Sequence, residues 1–85
     1  MATADDEGQL RAAILALARA RGPHKTLCPS EAARAVDPDG WRDLMDATRR
    51  VAWSLHAEGV LDVLQKGQPV TPSARGPIRL RIRPP

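Results

Sequence analysis

The run Ile78-Arg79-Leu80-Arg81-Ile82-Arg83 alternates an apolar with a basic residue over six positions. Successive side chains of a strand point to opposite faces, so this segment reads as a strand with an apolar face and an arginine face. A two-stranded ribbon is not stable alone, and its apolar face has to lie against something larger. Ile78, Leu80 and Ile82 are therefore expected to complete a core supplied by helices. Arg79, Arg81 and Arg83 are expected to face outward.

Upstream, residues 60–67, V-L-D-V-L-Q-K-G, supply the partner strand. Leu61, Val63 and Gln65 alternate there with Asp62, Leu64 and Lys66. The Pro- and Gly-rich residues 68–77 between the two strands read as a loop. Further upstream the period changes from two to that of a helix. Leu10, Ala13, Ile14, Leu17 and Ala18 form one stripe, acidic residues sit at its start, and Gly22-Pro23 stops it. Pro29 opens a second, short helix with Ala32, Ala33 and Val36 on its apolar face. Cys28 takes the N-cap position, and Glu31 reaches back as in a capping box. After the breaker Asp-Pro-Asp-Gly, a third helix is expected with Asp37 as its cap. Its seam is Trp41, Leu44, Met45, Thr48, Val51, Ala52 and Leu55, and Gly59 closes it.

The order predicts a mainly α fold with a small β-hairpin. This is a winged helix-turn-helix of three helices plus a two-stranded antiparallel wing. The 85 residues suit one domain over 1–85, with short flexible ends near 1–6 and 83–85. A lone cysteine makes no internal disulfide, no apolar run approaches a membrane span, and the acidic N-terminus lacks a signal peptide's basic region. A cytoplasmic location is expected.

Charge is unevenly distributed. Residues 1–62 hold eight of the 13 Lys and Arg and all ten acids, a net of −2; residues 63–85 hold the other five and no acid, a net of +5. With two Trp and no Phe or Tyr, the chain lacks the several aromatic platforms used to stack single-stranded bases.

Several stretches carry a resemblance: K-T-L-C-P-S-E-A-A-R at 25–34, W-R-D-L-M at 41–45 followed by Arg49, H-A-E-G-V-L-D-V-L-Q-K-G-Q-P-V at 56–70, and R-G-P-I-R-L-R at 75–81. Together they resemble a family of small bacterial domains of unknown function, treated as winged-helix-like. The resemblance spans roughly residues 10–82. It implies the fold and leaves the activity open.

Catalysis and metal binding find little support. Cys28 at a helix N-terminus with His24 nearby lacks an orienting third group, so it reads as a small buried thiol. One Cys and two dispersed His do not make a zinc site, and the phosphate-loop motifs are absent. No enzyme activity, cofactor or metal is expected.

Helix three is the candidate recognition helix. It carries Arg42, Arg49 and Arg50 on the flank that also bears Asp46 and Trp53. Base or phosphate contact competes there with a solvated face of Asp46–Arg49 and Asp46–Arg50 pairs, and Asp39, Asp43 and Asp46 would repel phosphates. The basic wing is the stronger signal. Lys66, Arg75, Arg79 and Arg81 gather positive charge on one hairpin, which suits phosphate contact, although charged edges also guard strands against aggregation. The expectation is a nucleic-acid-binding module for double-stranded DNA. The alternative is a protein-interaction module using the surface around Trp53.

Overall fold

A computed structural model describes residues 2–84. Three helices, α1 (Ala4–Arg21), α2 (Pro29–Val36) and α3 (Met45–Ala57), precede three short strands, β1 (Leu61–Gln65), β2 (Gln68–Pro69) and β3 (Arg79–Ile82). The fold is thus mainly α with a small antiparallel sheet, in a winged-helix-like arrangement.

Local chemistry sets the helix limits. Thr3 caps α1: its Oγ1 accepts from the Asp6 N–H at 3.1 Å, and Asp6 Oδ2 accepts from the Thr3 N–H at 3.0 Å. Two of the orphan donors at the helix start are satisfied reciprocally. The expected loose end at 1–6 thus contains a capped helix start. Met1 lies outside the described residues, as does Pro85 at the other expected loose end. Gly22, at φ 80°, ends the helix in a conformation that costs glycine little.

Pro29 occupies the first position of α2, and the Cys28 N–H donates to Glu31 Oε2 at 2.7 Å, so the expected box forms. The Glu31 carboxylate also accepts from the Arg21 guanidinium, which further donates to the Thr26 carbonyl. One carboxylate thereby joins the end of α1 to the start of α2.

Asp37 does not cap the third helix; it is the C-cap residue of α2, its N–H donating to the Ala33 carbonyl at 2.9 Å. Its Oδ1 accepts from the N–H groups of Asp39 at 3.2 Å and Gly40 at 2.9 Å, which closes a turn. A Cβ on Gly40 would lie 2.6 Å from Asp37 Oδ2, so a side chain there would displace the carboxylate that closes the turn. Trp41–Leu44 then forms a single turn of 3-10 helix, and α3 proper begins at Met45. The tighter winding lets the chain change direction between turn and helix.

The sheet order is β2-β1-β3, all antiparallel. A third strand stands where the sequence predicts two. Gln65 pairs with Gln68 across the two-residue turn Lys66-Gly67, whose φ values are 51° and 78°. Positive φ at both positions marks the hairpin turn whose twist matches its strands. β1 and β3 pair from Leu61–Ile82 to Leu64–Arg79. On the far side of β3, Leu27 and Leu80 exchange both backbone hydrogen bonds at 2.9 Å. The link between α1 and α2 therefore joins the sheet.

The core lies between the helices and one sheet face. It contains Leu10, Ile14 and Ala18 of α1, Ala32 and Ala33 of α2, Leu44 before α3, and Val51, Ala52 and Leu55 of α3. Leu27, Leu61, Val63, Ile78 and Leu80 close it from the sheet side. Ala13, Leu17 and Ile82, expected in the core, are half-buried at its edge. Thr48 is buried and donates from Oγ1 to the Leu44 carbonyl at 2.7 Å, so its hydroxyl is satisfied.

Candidate nucleic-acid interface

β1 and the loop that returns to β3 place most of the wing's cations. Lys66 stands at the tight turn after β1, exposed. Arg75 lies in the loop, and Arg79 opens β3. Lys66, Arg75 and Arg79 line one shallow depression with Gln65 and Pro77. Arg79 donates from Nε to Thr26 Oγ1 at 3.0 Å, which fixes its guanidinium beside the Leu27 bridge.

Side chains hold the loop between Arg75 and Pro77. Gln65 Nε2 donates to the carbonyls of Arg75 at 2.5 Å and Pro77 at 3.1 Å. Arg49 reaches across from α3 and donates from Nη1 to the Gly76 carbonyl at 3.2 Å. Arg49 therefore joins the wing group. Among the described residues, Arg49, Lys66, Arg75 and Arg79 form no ion pair within 4.0 Å. Glu31 feels Arg79 only as the weakest of the influences on its carboxyl, which the Arg21 hydrogen bond above all pushes down to about 2.

The other predicted residues are engaged elsewhere. Arg81 Nη2 pairs with Asp62 Oδ2 at 3.1 Å, and Arg83 Nε with Asp62 Oδ1 at 2.7 Å. Asp62 and Arg81 are direct cross-strand partners, so period two brings them to one face. Hydrogen bonds from Arg83 first, and then from Arg81, hold the Asp62 carboxyl below its ordinary value. Arg50 faces Glu7 at 3.6 Å. Arg42 stacks on Trp41 with its guanidinium carbon 4.5 Å from the ring centroid; Arg34 stacks on the same ring at 4.3 Å. Asp39, Asp43 and Asp46, all exposed, surround the start of α3. The Asp46–Arg49 and Asp46–Arg50 pairs do not form.

Sequence reasoning passed over Gln65 as a site residue. A neutral side chain at a strand end carries no charge signal, and its two acceptors lie ten and twelve residues away. Trp53 is half-buried, edge-on to His56 at 5.3 Å, and lines an open groove with Arg49, Arg50, Ala57 and Pro72. Cys28 is half-buried and accepts a hydrogen bond from Ser30 Oγ at 3.1 Å. Among the described residues, no three His, Cys, Asp or Glu side chains are grouped to hold a metal ion, and no helix is long and apolar enough to cross a membrane.

Fold and site together define a small winged-helix-like domain with a cationic wing. The model of a family described as "Protein of unknown function (DUF3253)" matches residues 7–83, nearly the whole chain. The chain belongs to that family. A search of curated proteins finds no match.

Proposed function

We propose that the chain is a nucleic-acid-binding module that holds double-stranded DNA through its wing. One observation carries this reading: Lys66, Arg75 and Arg79 share one depression, Arg49 braces the loop beside them, and none of the four has an ion-pair partner among the described residues. Lys66 and Arg75 keep all their side-chain donors for phosphate oxygens, while Arg79 and Arg49 keep those not used on Thr26 and the Gly76 carbonyl. Arg81 and Arg83 serve Asp62 instead. Helix α3 and the 3-10 turn leading into it contribute little to base reading, since Arg42 lies on Trp41 and Asp39, Asp43 and Asp46 make that end acidic.

The test is affinity against salt on two unrelated duplexes. Each phosphate neutralised contributes about −0.9 to the log–log slope. Lys66→Ala with Arg75→Ala should therefore flatten the slope by about 2, equally on both duplexes, because phosphates carry no base identity. Neither residue packs in the core, so the fold should hold. No binding by the native chain at low salt would remove this reading. It would favour the protein-interaction alternative, which the half-buried Trp53 beside Pro72 supports.

A further inference from the structure

We infer that Gln65 and Arg49 are positioning residues that make the wing select duplex over single-stranded nucleic acid. The inference rests on the wing reading above and concerns what gives that wing its shape. The carbonyls of Arg75, Gly76 and Pro77 are consecutive, and each accepts from a side chain: Gln65 takes the first and third, Arg49 the second. Gly76 sits at φ 90°, a backbone conformation that costs glycine little, which lets its carbonyl lie between the two that Gln65 holds.

The clamp's base is itself ordered. Gln65 ends β1, its neighbour Lys66 is held in the tight turn, and Arg79 pairs with Leu64 and bonds Thr26. The four cations thus hang from one connected frame.

A rigid frame matters to a rigid ligand. Duplex phosphates have spacings set by the helix, so cations already at matching positions bind them without ordering a loop during association. A single strand adjusts its backbone to whatever cations it meets and gains much less from a preset layout. Single-strand binders compensate by stacking bases on aromatic rings. The chain's two aromatic residues of the Phe, Trp and Tyr type, Trp41 and Trp53, both lie outside the wing.

Gln65→Met isolates the effect. It keeps the length of the side chain, removes both donors and leaves the charge of the wing unchanged. A lost affinity therefore does not come from a lost ion pair. The probes are a mixed-sequence duplex and one of its own strands, each titrated with the native chain and the variant. The native chain should prefer the duplex. Gln65→Met should weaken duplex binding about tenfold and single-strand binding less than about threefold, as expected where preorganisation is lost. Without nucleic acid, trypsin should cut faster after Arg75 in the variant while the unfolding midpoint holds.

Equal affinity of the native chain for both probes would overturn the inference, and so would equal losses on both or an unchanged cleavage rate. Each of those results leaves the wing reading standing. If the native chain binds neither probe, the wing reading falls and takes duplex selection with it.

Discussion

Helix α3 and the wing both display arginines, and they differ in what holds them. On α3 and the 3-10 turn before it, Arg42 lies on an indole, Arg49 braces a loop carbonyl and Arg50 faces Glu7. Asp39, Asp43 and Asp46 share that end of the molecule. On the wing, Arg81 and Arg83 are paired with Asp62, but Lys66 and Arg75 have no ion-pair partner among the described residues and Arg79 bonds Thr26 alone. A count of arginines rates the two regions alike. Their neighbours separate them, because a guanidinium that is already stacked or bonded must give up that contact to meet a phosphate.

The harshest way to break the comparison is to remove the core that both regions share. Leu55 is fully buried in α3 beneath the sheet. Leu55→Ala should cost about 2–5 kcal/mol, a large share of a small domain's stability, and abolish the distinction between helix and wing together. Urea unfolding reads this directly. An unchanged midpoint would mean that α3 does not pack as described.

A second variant sharpens the contrast by turning engaged arginines into free ones. Asp62→Asn removes the carboxylate that holds Arg81 and Arg83. The salt dependence of duplex binding should steepen by about 1 to 2 units as one or both arginines reach phosphates. Affinity at low salt should rise with it. A slope equal to that of the native chain would show that this corner of the sheet lies off the binding surface.

The smallest expected effect lies below the wing, at Glu31. Its carboxyl is lowered from 4.5 to about 2, with the Arg21 hydrogen bond as the largest cause. A depressed carboxyl stabilises the fold above its unfolded value. That contribution is present above about pH 4.5 and disappears as pH falls toward about 2. Because both side chains are about a third exposed, solvent screening reduces the pair's contribution to the small one typical of a surface ion pair. In Glu31→Gln, the fall in thermal midpoint between pH 5 and 2 should be shallower than in the native chain. Parallel curves would exclude the pair as a contributor.

What the sequence made legible was local. Pro29, Cys28 and Glu31 lie within four positions, and they announced the start of α2 correctly. The stripe Leu10, Ile14 and Ala18 and the strand Ile78–Ile82 were read from their periods. Asp37 was misread because an aspartate before Pro-x-Gly suits a turn as well as a helix cap, and only the Gly40 N–H decides between them. The strand Gln68–Pro69 escaped because two residues hold no period, although Lys66-Gly67 already carried a turn signal. The site was less legible for a related reason. The capture of Arg81 by Asp62 joins residues nineteen apart, and the Arg49 brace spans twenty-seven. Periodicity tells which way a side chain points, and it does not name the group waiting there.

The Leu27–Leu80 bridge has a consequence for how the chain is made. Leu27 emerges from the ribosome early, with both backbone hydrogen-bonding groups unpaired until Leu80 arrives. The helices can form as they appear, since their contacts are short in sequence. The sheet cannot, because β3 comes last and is the strand that β1 and Leu27 both need. Leu27 and the edge of β1 that faces β3 therefore stay unpaired until residues 79–82 are free to dock. A domain built this way closes in one late step, when β3 docks between β1 and Leu27, and a chain held short of that step keeps an unpaired strand edge and an open core face.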